Sequence, residues 1–583
     1  MKTIIINLVL LAALVSAQNA RKSKIVKTAQ GRVKGYENDG MFEFYGIPYA
    51  AAPTGPNKFK APLPGPIWMQ TLEAVDNKII CPQGKTPAFN IDLTEYTMQE
   101  DCLIANVMIP DTKEKNLPVV VYVHGGGFQI GWGNLMNQKS MVKSKKIIAV
   151  NFNYRLGIHG FLCLGTEGAP GNAGMKDQVA LLRWVQKNIA NFGGNPNDVT
   201  LVGSSAGSVA VDLLMLSERT KGLYNKVIPE SGASVGVWSV QMDPLQTAKD
   251  FAKANNLTKV SNINILEEFY KSLSFDVLTS DTFMERKDST FSFVPCVERN
   301  MGRETFLKEA PVNILKRGQY KKVPVLYGFA NLEGYMRLML IDTWLNDMNE
   351  HFSDYLPADL QFASEKERLD VAKVIKEFYF GDKTIGADTI QNYIDYFSDV
   401  MFAYPHLRAV KLQVEAGSDS VYLYEYTFPS ASPLIEDAPE SIKKIRGAPH
   451  CAQSAAVHDL EHSLIVTDTS AEFTKLRTTL REIWLNFITT GKPVPEGSKL
   501  PNWPAADSNR SPHMELGEEI RLKGRLLEMR ARFWDDIYER YYRTPVPPSA
   551  PQLRIAKLLS ILCFKLFPDL SDVTSFILIF LMV

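Results

Sequence analysis

The sequence predicts an α/β fold: a large, mostly parallel central sheet flanked by helices, with helical insertions capping it. Three observations predict this. Short apolar β runs alternate with helix-period segments along most of the chain, as strand–helix–strand units require. Two of those runs, Leu117–Val123 and Ile147–Asn153, are hydrophobic almost throughout, as strands covered on both faces must be. The third is the run Val199–Val202, which meets Gly203-Ser204-Ser205-Ala206-Gly207 and passes at once into a helix-capable segment reaching Leu216. A strand-to-helix turn this sharp has no room for side chains at its flanks, so glycine stands there. Ser205 is left on a strained backbone, its Oγ exposed at the carboxyl end of the sheet above the positive end of the following helix.

The elements follow in order. Asn38-Asp39-Gly40 separates two short β-like segments and reads as a hairpin turn. Between the Leu117–Val123 and Ile147–Asn153 strands lies His124-Gly125-Gly126-Gly127-Phe128. Met175–Asn191 is helical by period, with Val179, Leu182, Val185 and Ile189 on one face and Gly193-Gly194 as the stop. Val323–Tyr327, ended by Gly328, and Val421–Tyr426 are further short strands. Glu472–Thr489 is an amphipathic helix with Phe473, Leu476, Leu480, Ile483 and Phe487 inward, ended by Gly491 and Pro493. Asp243–Phe402 is richer in helical pattern and is expected to cap the sheet.

Composition bounds the function. The chain has 583 residues, 45% of them hydrophobic, enough for a large core. Lys+Arg and Asp+Glu both number 64, so no electrostatic footprint for nucleic acid or an acidic membrane is present. Residues 1–17 read as a secretory signal: Lys2, an apolar core at Ile4–Val15 too short to span a bilayer, and Val15-Ser16-Ala17 before Gln18. Export suits two acceptor sequons, one at Asn256 and a second at Asn509 that Pro512 weakens. Residues 18–545 are expected to form one domain, followed by a tail, 546–583, that is disordered or weakly helical. The nine-residue end Ser575–Val583, almost wholly apolar, is short for a lipid-anchor signal, and no stable membrane insertion is expected. Six cysteines, with no CxxC pair, argue against zinc or redox chemistry. Cys81 and Cys102 stand near enough to close a short loop, and Cys296 and Cys451 are expected to be two free thiols rather than a bridge.

A serine hydroxyl is a weak nucleophile and needs a base, a group to hold that base, and donors for the oxyanion. Gly125-Gly126-Gly127 follows a strand, and its side-chain-free peptides bring N–H groups close to a tetrahedral intermediate. The N–H of Ala206, next after the nucleophile, is the third expected donor. Glu333, in Gly328-Phe-Ala-Asn-Leu-Glu-Gly334 just past a strand, is the candidate acid. Among eight histidines His450, in Gly447-Ala-Pro-His-Cys451, is the candidate base, with His458 and His462 as rivals. Val457-His458-Asp459 imitates a base–acid pair, but neighbours on a helix do not face each other.

Taken together these segments resemble the type-B carboxylesterases and cholinesterases, over about Lys27 to Arg540. The matching blocks are Phe44-Tyr-Gly-Ile-Pro-Tyr49, Glu100-Asp-Cys-Leu103, His124–Phe128, Asn153-Tyr-Arg-Leu-Gly157 and Gly171-Asn-Ala-Gly-Met-Lys-Asp-Gln178. Phe192-Gly-Gly194, the serine turn, the Glu333 segment and Gly447–His450 complete them. The resemblance implies an α/β-hydrolase fold and a Ser205–His450–Glu333 triad. It further implies oxyanion donors at Gly126, Gly127 and Ala206, a Cys81–Cys102 disulfide, no metal or cofactor, and structural roles for Arg155 and Asp177. The leader is similar to those of secreted insect esterases.

Three departures matter. Ser204 stands where many relatives carry an acidic residue, and where juvenile-hormone esterases usually have Gln, so those esterases are expected to be a poor match. The Cys81–Cys102 interval holds no tryptophan, which cholinesterases use against a quaternary ammonium. Ala452-Gln453 stand where relatives usually have acidic residues. The first two argue against acetylcholine as substrate. Phe291-Ser-Phe293 matches the segment that forms the acyl pocket in cholinesterases, so a preference for short acyl groups is expected. The expected function is a secreted serine carboxylic-ester hydrolase acting on small or medium esters. A silent adhesion or ligand-binding member of the fold, or a lipase or a slow-turnover sequestering protein, are the alternatives.

Overall fold

The computed structural model describes residues 21–84, 92–280, 284–302, 305–429, 440–460 and 468–548. The expected leader, His462 and most of the expected tail lie outside the described residues. Twelve strands form the main path of one sheet. They are β1 (Ser23–Lys27), β2 (Arg32–Asn38), β3 (Met41–Pro48), β4 (Ile104–Pro110), β5 (Leu117–Val123), β6 (Ile148–Phe152), β7 (Gly194–Ser204), β8 (Lys226–Glu230), β9 (Val325–Ala330), β10 (Val421–Tyr426), β11 (His513–Leu516) and β12 (Ile520–Lys523). Their spatial order is β1-β2-β3-β4-β6-β5-β7-β8-β9-β10-β11-β12, and the short strand Leu72–Glu73 adds a thirteenth beside β2. From β6 to β11 every pairing is parallel; along the rest of the path the pairings are antiparallel, and Leu72–Glu73 joins β2 in parallel.

The valine-rich strands are buried on both faces because a helical layer covers each face. In β5, Val119, Val121 and Val123 enter one apolar layer, and Val120 and Tyr122 enter the other. The first layer is closed by helices α1 (Ala173–Asn188) and α2 (Ala206–Leu216), the second by α3 (Ala471–Thr490). Helix α3 buries the expected Phe473, Leu476, Leu480, Ile483 and Phe487, adds Trp484 and Ile488, is capped by Ser470 and stops at Gly491 with φ 78°. Full burial of each such side chain stabilises by roughly 1.5–3 kcal/mol.

Two strands differ from expectation. Strand β9 runs through Gly328 to Ala330 rather than stopping there. A Cβ on Gly328 would lie 2.4 Å from the Tyr424 ring of the neighbouring strand, so this glycine makes room rather than a turn. Strand β8 is absent from the sequence reading, because Lys-Val-Ile-Pro-Glu carries a proline and charged ends. Pro229 lacks an N–H, and β8 pairs with β9 only at Val227↔Val325 and Glu230↔Gly328, either side of it. The segment between β8 and β10 contributes the expected helices, among them Pro244–Ala254, Glu365–Phe380 and Ile390–Ser398.

Disulfides join Cys81 to Cys102 and Cys163 to Cys296. Cys296 is therefore not a free thiol, while Cys451 is free and buried. Arg155 and Asp177 form a buried bidentate pair, with Nε–Oδ2 2.8 Å and Nη2–Oδ1 2.6 Å. Arg155 Nη1 also donates to the carbonyls of Lys58 and Lys60 at 3.0 and 2.8 Å. Arg155→Met removes every one of these donors and leaves Asp177 buried and unpaired. It should lose about 3–5 kcal/mol, seen as a lowered midpoint in urea unfolding; an unchanged midpoint refutes that role.

Candidate active site

Five parallel strands end around one point. The glycine loop follows β5, Ser205 follows β7, Ser231 follows β8, Glu333 lies just past β9, and the His450 loop follows β10. Clefts beyond the carboxyl ends of such strands are where α/β sheets place their chemistry. Ser205 has φ 55° and ψ −122°, a conformation an L-residue holds only when its surroundings impose it. Here the surroundings are close backbone contacts. A Cβ on Gly203 would lie 2.2 Å from the Gly207 carbonyl oxygen, one on Gly207 2.0 Å from that of Val123, and one on Gly232 2.4 Å from that of Ser205.

The His450 imidazole bridges the other two side chains. Its Nε2 lies 2.9 Å from Ser205 Oγ, and its Nδ1 hydrogen-bonds to Glu333 Oε2. Glu333 is fully buried, and its Oε1 accepts from the Ala330 N–H at 2.8 Å and from Ser231 Oγ at 2.5 Å. Ser231 accepts in turn from Gln453 Nε2 at 2.5 Å. Gln453, in the stretch that departs from the family's acidic pattern, thus braces the carboxylate through a neutral amide. Burial alone depresses an imidazolium, but the neighbouring Cys451 and Glu333 outweigh it and hold the His450 pKa above the ordinary 6.5. Burial also pushes the Cys451 thiol up. The Cys451 sulfur sits 3.4 Å from His450 Nε2.

His458 occupies a separate buried cluster. Its Nε2 faces Glu230 Oε2 at 3.2 Å, and Glu230 also accepts from Ser454 Oγ and Trp484 Nε1, both at 2.7 Å. Asp459 points elsewhere, to Ser140 and Arg481. Glu230 returns to the serine turn through its carbonyl, which accepts the Ser205 N–H at 2.8 Å. Ser204 is buried and shares a hydrogen bond with Tyr122 Oη at 2.9 Å, so no carboxylate stands at that position.

The glycine loop is equally constrained. Gly126 and Gly127 have φ 104° and 62°, and a Cβ on Gly126 would meet the Ile130 carbonyl oxygen at 2.1 Å. His124, with its pKa pushed down to about 4 by burial, is neutral and hydrogen-bonds the Gly125 carbonyl at 2.8 Å. Among the described residues the N–H groups of Gly126 and Gly127 have no backbone acceptor. Ala206 is the first residue of α2, where the helix supplies its N–H with no partner.

Of the two expected pocket rings, Phe291 packs on Trp238 at 5.2 Å between centroids, Trp238 on Phe402 at 5.6 Å, and Phe402 on His450 at 4.4 Å. Phe293 instead packs on Phe251 at 5.5 Å. Phe402 lies in a π-helical turn, Asp399–Ala403, a local irregularity frequent at functional sites. His406 fixes that turn: it accepts from the Gly232 N–H and donates to the Phe402 carbonyl. Sequence reasoning missed Glu230, Ser231, Trp238 and Phe402. The signal for the first two was the short Lys226–Glu230 run followed by Ser-Gly; the rings carried none.

A sequence model of the carboxylesterase family matches residues 22–534. The chain belongs to that family. It is a carboxylic ester hydrolase. Esterase FE4 of Myzus persicae is 31% identical over 85% of this chain and 90% of its own length. Juvenile hormone esterase of Heliothis virescens is 29% identical over 85% and 90%. Among solved structures, juvenile hormone esterase from Manduca sexta with OTFP covalently attached superposes with a TM-score of 0.77. It is 26% identical and covers 89% of this chain and all of its own. These likenesses carry the α/β-hydrolase fold of the esterase from end to end of its sheet. In the esterase as folded, His450 should titrate above 6.5 by NMR, and Glu333→Gln should bring the midpoint down; an unmoved midpoint would remove Glu333 as the cause.

Proposed function

We propose that this esterase works through an acyl-enzyme, with Ser205 as nucleophile, His450 as base and then acid, and Glu333 as its orienting partner. The observation that carries the reading is the 2.9 Å contact between His450 Nε2 and Ser205 Oγ while Nδ1 is held by Glu333. Ser205 Oγ attacks the ester carbonyl as His450 takes its proton. The negative oxygen that forms is received by the N–H groups of Gly126, Gly127 and Ala206. His450 then gives the proton to the departing alkoxide, and the alcohol leaves. Water, deprotonated by the same imidazole, attacks the acyl-enzyme; as the acid is released His450 returns that proton to Ser205 Oγ, restoring the free enzyme. Glu333 stabilises the imidazolium at both stages without taking its proton. Each oxyanion donor is worth about 10²–10³ in turnover.

The Phe291–Trp238–Phe402 rings crowd the side of His450 and support a preference for short acyl groups. Two disulfides suit an oxidising compartment, and Asn256, exposed with φ 68°, is accessible for glycosylation; both support the reading as a secreted glycoprotein.

Ser205→Ala should abolish hydrolysis of p-nitrophenyl acetate and the covalent fluorophosphonate label together; labelling that persists rejects Ser205. The base must be neutral to act, and its pKa is raised. The kcat/KM profile should therefore climb with pH through a midpoint above 6.5, not at the unperturbed histidine value; a rate flat from about pH 5 to 8 rejects His450. Acetate esters should outpace decanoate esters, and Phe291→Ala should narrow the gap. Faster cleavage of decanoate by the unaltered enzyme overturns the acyl preference.

A further inference from the structure

We propose that the esterase carries a second, non-catalytic site that binds a long-chain carboxylate in a groove between the proline-rich segment 53–67 and helix α1. The groove has a volume of about 1110 Å³, comparable with the upper range of ligand sites. None of Ser205, Glu333, His450 or the oxyanion glycines lines it. Its apolar walls include Ala50, Leu63, Pro64, Ile67 and Ala180. Leu63 and Ile67 are 56% and 78% exposed, far more than packing against the fold requires of a Leu or Ile.

The larger polar side chains at the floor of the groove have partners. Gln30 Oε1 accepts from Trp184 Nε1 at 2.7 Å, and its Nε2 donates to the carbonyls of Pro48 and Pro66 at 2.8 and 3.1 Å. Tyr49 Oη donates to the Asn153 carbonyl at 2.7 Å. The Arg155 guanidinium pins the lip by binding the Lys60 carbonyl. These ties preform the groove and leave apolar surface facing outward.

Three cations remain. Lys60 stands on one lip, and Arg183 and Lys187, one helical turn apart, stand on the other. Among the described residues none of the three has a carboxylate within ion-pair distance or a side-chain hydrogen bond. Glu267 acts on Lys60 from outside the groove, so Arg183 and Lys187 carry the open charge, and an apolar trough ending in two exposed cations matches an amphiphile with one anionic head. Pro53, Pro62 and Pro64 lack N–H groups, so the wall does not offer the donor row that an added peptide strand needs. A neutral lipid would leave Arg183 and Lys187 unused. A long-chain carboxylate uses both features, and it belongs to the acid class that ester hydrolysis releases.

The test is calorimetric titration of laurate into full-length enzyme whose Ser205 has first been blocked with a fluorophosphonate. Saturable 1:1 binding is expected, with dodecanol bound much more weakly. Arg183→Glu/Lys187→Glu should weaken laurate roughly tenfold or more, the scale of two reversed surface charges. Ala180→Trp, which fills the groove and leaves the charges, should also weaken it; an unchanged thermal midpoint shows each variant to be folded. Three results overturn the site: affinity untouched by both variants, dodecanol binding as tightly as laurate, or binding confined to unblocked enzyme. The last places the ligand in the Ser205 cleft. Loss of esterase activity in Ser205→Ala bears on the triad alone and leaves this site standing.

Discussion

The backbone of residue 205 governs the rest. At φ 55° and ψ −122° a serine is held where an unconstrained chain would not leave it. The cost of such a conformation, about 1–3 kcal/mol, is sustained only because its neighbours admit no alternative. Gly203, Gly207 and Gly232 let three backbone segments approach to distances at which any Cβ would collide. The strand behind the serine and the helix ahead of it are each locked in a buried layer, so relaxing the turn would mean unpacking the centre of the sheet.

Around that fixed point the electrostatics is arranged by burial. Glu333 has no exposure and three hydrogen-bonding partners, so its charge acts on the imidazole without competing solvent. A second carboxylate, Glu230, is kept away from the serine hydroxyl by its own set of donors: Ser454, His458 and Trp484. The two histidines that flank the cleft, His124 and His406, are held neutral by burial and serve as hydrogen-bonding struts. One imidazole is thus left with both a raised pKa and a serine hydroxyl within reach.

How much of this could be read from residues alone depended on range. The serine turn, the glycine loop and the buried parallel strands are written in consecutive residues, so composition and order were enough to name them. Ser205, Glu333 and His450 could be named because few residues of the right chemistry follow strands in the right order. Strand β8 was hidden by Pro229, since propensity argues against a central strand that its neighbours nonetheless enforce. Ser231 and Gln453 act through contacts 102 and 222 residues apart, and no local pattern reports those. The partner of Cys296 was missed for the same reason: Cys163 lies 133 residues away.

That last cross-link has a practical side. Cys296 stands five residues after Phe291, and its bond to Cys163 staples the Phe291 segment, which packs on Trp238, to the segment leading into helix α1. A loop of that length, closed covalently, removes about 5 kcal/mol of disorder from the unfolded chain on a polymer estimate. A bacterial cytoplasm is kept reducing and withholds the bond. Recombinant enzyme made there would lack the cross-link that periplasmic or eukaryotic material carries beside the Phe291–Trp238–Phe402–His450 ring stack, and kinetic constants from the two hosts would describe two different molecules.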